Sequence, residues 1–263
     1  MAKNQKGKLK VIGIIPARMG SSRFPGKPLA KILGVPMIGH VYFRSKMSKI
    51  LDEVYIATCD KEIMGYGESI GAKCILTKNT HERASDRTAE AMLKIERESK
   101  QKLDIVVMIQ GDEPMVFPEM IDASVKPLIK DPSVLVSNLT EPIESREEHE
   151  DPNCIKVVLD KKNFAIYFSR EAIPTRKKGA KELPMLKQVC IIPFQRDFLL
   201  KFNRLKPTIL EKVESIDMLR VLEHGYEVKM APTPFQTHSV DTKEDLELVQ
   251  KLMANDPLIV KYL

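Results

Sequence analysis

The chain has 263 residues, 43% of them hydrophobic and 30% charged, with a net charge of +6. That length and balance suit a soluble α/β protein with a substantial core and exclude a disordered or fibrous chain. The four cysteines, Cys59, Cys74, Cys154 and Cys190, form no C-x-x-C pair, which argues against a zinc site or a secreted disulfide scaffold and for free thiols in a reducing cytoplasm.

In chain order, Lys3, Lys6, Lys8 and Lys10 make a basic start, and residues 1–9 read as a disordered tail. The apolar run after it is too short for a signal peptide and is interrupted by Arg18. No stretch approaches the length that spans a bilayer. The first predicted strand, Lys10–Pro16, runs into Ala17, Arg18 and a turn of small residues, Gly20, Ser21 and Ser22, with Arg23 and Lys27 close by. A buried strand opening into such a loop makes a phosphate cradle: small side chains let backbone N–H groups approach an anion, and fixed cations neutralise it. The alternative is an ordinary strand–loop joint with solvated cations. Neither the Walker pattern nor the G-x-G-x-x-G fingerprint is present.

Apolar periodicity then predicts helix over 37–48, strand over 53–58, helix over 60–69, strand over 73–76 and helix over 85–100. The next strand, 105–109, is wholly apolar and ends in Gln110-Gly111-Asp112-Glu113-Pro114. Ligands of open α/β sheets bind beyond the carboxyl ends of the strands, so Asp112 and Glu113 sit where a cation or substrate is expected. Carboxylate oxygens there suit Mg²⁺. An acidic turn without function is the other reading.

Helix is predicted over 118–130 and strand over 134–139. Residues 153–174 differ in texture: two β-rich runs, 155–159 and 165–168, flank the polar turn Asp160-Lys161-Lys162-Asn163, a hairpin-like excursion covered either by a second subunit or, as a flap, by its own domain. Arg176, Lys177, Lys178 and Lys181 form a second basic cluster. Strand follows at 189–193, helix at 196–204 and 210–223, strand at 227–230, and a last helix at 242–255 with a Thr242/Asp245 capping-box pattern. Asp241 precedes that helix, either as a turn residue or as a partner of Asp112 in a metal site. The alternation of strands and helices predicts an α/β fold, a doubly wound and mainly parallel sheet, in one domain over 1–263. His149 and His224 read as surface residues, and no histidine spacing suggests a triad or zinc site. The positive charge alone would admit a nucleic-acid-binding protein, but aromatics are 6% with no Trp, and nothing marks a stacking platform. A catalytically silent nucleotide-binding protein is a third class.

The runs IIPARMGSSRFPGKPL (14–29), ATCD (57–60), SDRTAEA (85–91), VMIQGDEPMV (107–116), NCIKVVLDKKNFAIYFSREAIP (153–174), LRVLEHG (219–225) and SVDTKEDLE (239–247) carry a further indication. In this order they resemble the sugar-acid cytidylyltransferases, most closely the branch acting on 3-deoxy-manno-octulosonate (KDO). The resemblance covers about residues 10–253. It implies a Rossmann-like nucleotidyltransferase fold and a homodimer, with transfer of CMP from CTP to the anomeric hydroxyl of KDO or a related acid, and release of pyrophosphate. It implies Mg²⁺ on Asp112 and Asp241. Arg18 and Lys27 would meet the triphosphate and Arg87 and Gln110 the nucleotide, with Ser85 in the loop facing the base. Arg170 would lie near the acceptor and the dimer interface. The chain departs from the pattern at Arg83-Ala84, where small residues usually face the base. It departs also at Gln188, Ile192, Asp217 and Met218, on the acceptor side. These departures assign Gln188 and Asp217 to acceptor binding and leave open a nonulosonic acid, a phosphonate or another hydroxy acid as the acceptor.

Overall fold

The computed structural model describes residues 8–21, 23–178 and 185–262. The chain, read as one domain from its sequence, divides into two compact units, Met1–Asp122 with Thr237–Leu263, and Ala123–Gln236.

In the first unit, strand β1 (Val11–Ala17) is buried along its whole length. Each of its faces is covered, so it reads as an unbroken apolar run rather than an alternating one. Gly13 belongs there because a Cβ would stand 2.9 Å from Leu51 Cδ1 and 3.1 Å from Ile109 Cδ1. A short hairpin, β2 (Lys31–Ile32) and β3 (Val35–Pro36), turns through Leu33 and Gly34, both at positive φ; its strands are too short to leave a periodic signal. Then come α1 (Met37–Lys46), β4 (Glu53–Thr58), α2 (Lys61–Ser69), β5 (Lys73–Leu76), α3 (Ala84–Ser99), β6 (Ile105–Ile109) and the first residues of α4 (Pro118–Lys130), which from Ala123 onward belongs to the second unit. Strands β4, β5 and β6 fall on their predicted residues. Within this unit the strands lie in the order β6-β1-β4-β5, all parallel. From β1 the chain moves outward to β4 and β5, then returns to β6 on the other side of β1. That reversal puts the loops after β1 and β6 side by side at a topological switch point, where open α/β sheets hold their ligands.

The C-terminal helix (Lys243–Met253) carries the expected capping box: Asp245 N–H donates to Thr242 Oγ1 at 3.1 Å, and Thr242 N–H to Asp245 Oδ2 at 2.8 Å. Its Val249 and Met253 pack with Ile32, Met37 and Val240 in one buried cluster, with Phe24 and Met115 against it. Lys8, assigned above to the tail, forms an ion pair with Asp52 at 2.8 Å, and the Lys10 N–H donates to Asp104. The rest of that tail, residues 1–7, lies outside the described residues, as does Lys181.

The second unit contains β7 (Ser137–Pro142), α5 (Arg146–Glu150), β8 (Lys156–Leu159), β9 (Ala165–Ser169), β10 (Leu186–Val189), β11 (Ile191–Gln195), α6 (Arg196–Phe202), α7 (Ile209–Glu214), α8 (Asp217–Glu223) and β12 (Lys229–Pro232). Its sheet runs β12-β7-β10-β8-β9, with β12 parallel to β7 and the other pairs antiparallel. Backbone bonds from Ala165 N–H to Val228 O and from Met230 N–H to Asn163 O, at 2.9 and 2.8 Å, bring the start of β9 back to β12. The hairpin over 153–174 is therefore β8 and β9 of this sheet. Asp160 shapes its turn, with Oδ1 accepting from the N–H groups of Lys162 and Phe164, both at 2.8 Å.

Three expected elements differ. The strand placed at 134–139 pairs instead over 137–142, because Val134 and Val136 are buried ahead of the ladder, with Val136 bridged to Phe194. The strand at 189–193 is two strands broken at Cys190. The helix at 210–223 is broken by Ser215 at φ 54°, which ends α7 and re-aims the chain into α8. His149, read as a surface residue, is 1% exposed, with Nε2 2.9 Å from the Ile173 carbonyl.

Candidate active site

The loop after β1 is folded onto itself. Gly26, at φ 77°, donates its N–H to Met19 O at 2.9 Å, and Ser21 Oγ accepts from Phe24 N–H at 3.3 Å. Asp60, at the end of β4, accepts the Met19 N–H at 2.8 Å and so anchors the loop from the neighbouring strand. Arg18 Nη1 donates to the His81 carbonyl at 3.4 Å. Ala17 is buried as the last residue of β1, and Gly20 stands open, since a Cβ there would meet nothing within 4 Å. Ser22 lies outside the described residues.

Lys27 opens a 3₁₀ turn (Lys27–Leu29). Its ammonium donates to Asp112 Oδ2 at 2.7 Å, to Asp241 Oδ1 at 3.0 Å and to the Val240 carbonyl at 3.0 Å. Burial opposes its charge, but the two carboxylates outweigh burial and hold its pKa above the ordinary lysine value. Arg23 Nη2 takes the other oxygen of Asp241, Oδ2, at 3.0 Å.

Asp112 and Asp241 thus converge on one cation. Asp112 leaves the end of β6 through Gly111, where a Cβ would stand 3.2 Å from the Pro16 carbonyl. Asp241 is placed by its neighbour, Val240, which is fully buried in the cluster under the C-terminal helix and donates its N–H to Asp112 O at 2.9 Å. Burying such a valine contributes about 2 kcal/mol toward holding that turn against β6. Glu113 does not share the site. It is 6% exposed and accepts from Thr237 Oγ1 at 3.0 Å, which makes it a structural brace of the turn.

Two carboxylates drawn to a single positive charge are hard oxygen donors of the kind Mg²⁺ takes, an ion held by one or two protein carboxylates with waters and substrate phosphates completing its shell. Among the described residues no group of three or more His, Cys, Asp or Glu forms a self-sufficient metal cage. The donor set fits a divalent ion shared with a phosphorylated ligand.

Arg87 lies buried in the first turn of α3. Its Nη1 donates to Thr77 Oγ1 and to the Lys78 carbonyl, while Nη2 is buried with no hydrogen-bond partner among the described residues. Ser85 is fully buried beside it in sequence, and Gln110 is half-buried at the end of β6. Glu90, one helix turn further on, gathers Lys94, the Lys78 N–H and His81. Burial works against the Glu90 carboxylate, but these three partners prevail and hold its pKa down to about 2.

The residues assigned to the acceptor all belong to the second unit. Arg170 is committed to the backbone: Nε donates to Glu214 O at 2.6 Å, Nη1 to Pro152 O at 2.8 Å and Nη2 to Ser215 O at 3.4 Å. These bonds place it beside the break between α7 and α8, just before Asp217, the first residue of α8. Gln188, on β10, faces Thr140 of β7, and its Oε1 is buried with no partner among the described residues. Ile192 and Met218 are core residues at 3% and 1% exposure. The sequence gave Asp60 no role beyond its place in the ATCD run and read Arg23 only as a cation of the phosphate loop; the pairing of Arg23 with Asp241 has no local signature.

A parallel sheet whose switch point brings a cation-bearing small-residue loop against two carboxylates suits a nucleotidyltransferase. The cytidylyltransferase family model matches residues 12–230, and the chain belongs to that family. It is 45% identical over 94% of its length to the 3-deoxy-manno-octulosonate cytidylyltransferase of Syntrophobacter fumaroxidans, covering 98% of that protein. It is 42% identical over 92% of its length to the enzyme of the same name from Solibacter usitatus, covering 94% of it. Among solved structures, it matches a CMP:2-keto-3-deoxy-manno-octonic acid synthetase complexed with CTP, with a TM-score of 0.86 and 37% identity, over 94% of this chain and 99% of that one. Among the described residues no helix is long and apolar enough to cross a membrane.

Proposed function

We propose that the protein transfers CMP from CTP to the anomeric hydroxyl of 3-deoxy-manno-octulosonate, releasing pyrophosphate. The observation that carries this reading is the Lys27 ammonium lying between the Asp112 and Asp241 carboxylates at the switch point. The likeness to KDO cytidylyltransferases over more than nine-tenths of the chain favours KDO over the other acids.

The two substrates together bring about five negative charges to the reaction. The acceptor oxygen must reach an α-phosphorus already shielded by anionic oxygens. Arg18 and Lys27 bind the triphosphate and stabilise the charge that develops on departing pyrophosphate. Backbone groups of Ala17, Gly20 and Ser21 line the phosphate loop, to which the sequence also assigns Ser22. Arg87, Gln110 and Ser85 hold the nucleoside. Asp112 and Asp241 would hold Mg²⁺, which would supply positive charge to offset the phosphate oxygens. Gln188 and Asp217 bind hydroxyls of the sugar acid, and Arg170 fixes the backbone from which Asp217 projects.

The protein works as a homodimer in the cytoplasm. Ile166 on β9 and Ile209 and Val213 on α7 are exposed apolar side chains, at 61%, 76% and 76%, that a second subunit would cover, and free cysteines suit a reducing compartment. The deciding experiment measures pyrophosphate release with each of the four nucleoside triphosphates, with and without Mg²⁺, across sugar acids including KDO. Turnover confined to CTP, Mg²⁺ and KDO is expected. Turnover with a nonulosonic acid but not with KDO would refute the acceptor, and no release under any condition would refute the reaction.

A further inference from the structure

The side chains assigned to the metal are already satisfied by the protein's own cations. Lys27 occupies one oxygen of Asp112 and one of Asp241, and Arg23 occupies the other oxygen of Asp241. The set of two carboxylates and two cations is neutral. A divalent ion approaching it must displace hydrogen-bonded positive groups and meets their like charge at short range. The displacement is harder at Lys27, whose side chain is 14% exposed, than at Arg23, which is 54% exposed and screened by solvent. A triphosphate offers both cations better partners, because charge-assisted bonds to phosphate oxygens replace the ones they surrender.

We propose that Lys27 and Arg23 form a counter-ion latch on the metal carboxylates, closed in the free protein and released by the nucleotide's phosphates, so that metal loading follows nucleotide binding. The proposal rests on the reading of Asp112 and Asp241 as metal ligands. Its consequence is positive coupling: the nucleotide raises the metal affinity of the carboxylates, and by linkage the metal raises the protein's affinity for the nucleotide. The free protein is thereby kept from holding a divalent ion at a site that has no phosphate to act on. Lys27, with a flexible four-carbon stem and a compact charge, suits a group that must change partners.

The test uses Mn²⁺ as the probe, titrated into the full-length protein without nucleotide, with free Mn²⁺ counted by its paramagnetic resonance signal. Lys27→Met is expected to bind Mn²⁺ about tenfold more tightly than the unaltered protein, and Arg23→Gln about threefold more tightly. Adding Asp241→Asn to either variant should abolish the gain. Arg23 is exposed enough that its loss leaves folding undisturbed, so it serves if Lys27→Met does not fold. Affinity unchanged or weakened in both folded variants overturns the latch. Failure of the underlying metal assignment would look different: Asp112→Asn would then keep full Mg²⁺-dependent turnover, and Lys27→Met would gain Mn²⁺ affinity that survives Asp241→Asn.

Discussion

Val240 donates its backbone N–H to the carbonyl of Asp112 at 2.9 Å, joining the turn before the C-terminal helix to the end of β6. Through this bond a buried side chain with no chemistry of its own sets where Asp241 points. Val240→Ala removes two methyl groups from a cluster with 0% exposure at each of its members. It should cost about 2 kcal/mol in denaturant unfolding and should also lower kcat in Mg²⁺-dependent pyrophosphate release. A variant that loses stability yet keeps its kcat would show that the turn holds Asp241 without this anchor.

Asp112→Asn keeps the shape of the side chain and removes its charge. The melting temperature should stay within a few degrees of the parent, because the carboxylate is partly exposed and Lys27 retains Asp241. Turnover should fall by a factor of about 100 to 1,000, the scale seen when one transition-state contact is removed. Near-normal turnover would take Asp112 out of its assigned role.

Gln188→Leu separates acceptor binding from folding. The Oε1 atom is buried without a partner among the described residues, so an apolar side chain there should leave stability unchanged or slightly raised. If Gln188 binds a sugar hydroxyl, the KM for KDO rises by about ten- to a hundredfold, on the scale of one lost hydrogen bond, while the KM for CTP holds. Equal changes in both constants would argue against an acceptor role.

Arg170→Ala is expected to act first on stability. Its guanidinium ties the carbonyls of Pro152, Glu214 and Ser215 together. Hydrogen bonds from a charged donor are worth about 1.5–3 kcal/mol each, and with two of the three short, a loss of about 3 kcal/mol in urea unfolding is expected. An unchanged unfolding midpoint with a raised KM for KDO would instead place Arg170 on the substrate.

The Glu90 carboxylate gives a pH signature. Its folded pKa of about 2 lies below the model-peptide value of 4.5, so the folded state favours the ionised form. The stabilisation it brings is complete above pH 4.5 and is lost as pH falls toward 2. Glu90→Gln should remove about 1 kcal/mol of stability at pH 7, discounted for solvent near the group, and flatten the stability–pH curve between pH 4.5 and 2. An unaltered slope in that window would show that Lys94 and His81 do not hold the carboxylate.

The sequence by itself determined the parallel sheet and the two loops that flank its switch point. Strands β4, β5 and β6 were legible to the residue because each is an apolar run bounded by polar, Gly or Pro punctuation, and the basic loop after β1 and the QGDEP turn after β6 are local patterns. The antiparallel sheet of the second unit was harder to read. Its strands are short, and the breaks at Cys190 and Ser215 answer to pairing and to Arg170 rather than to composition. The resemblance already paired Asp241 with Asp112; only the tertiary structure decided that Glu113 turns inward to Thr237 and that Lys27 and Arg23 sit on the two carboxylates. Those outcomes depend on side-chain distances between segments far apart in the chain, which the packing of Val240 and its neighbours fixes and no local pattern encodes.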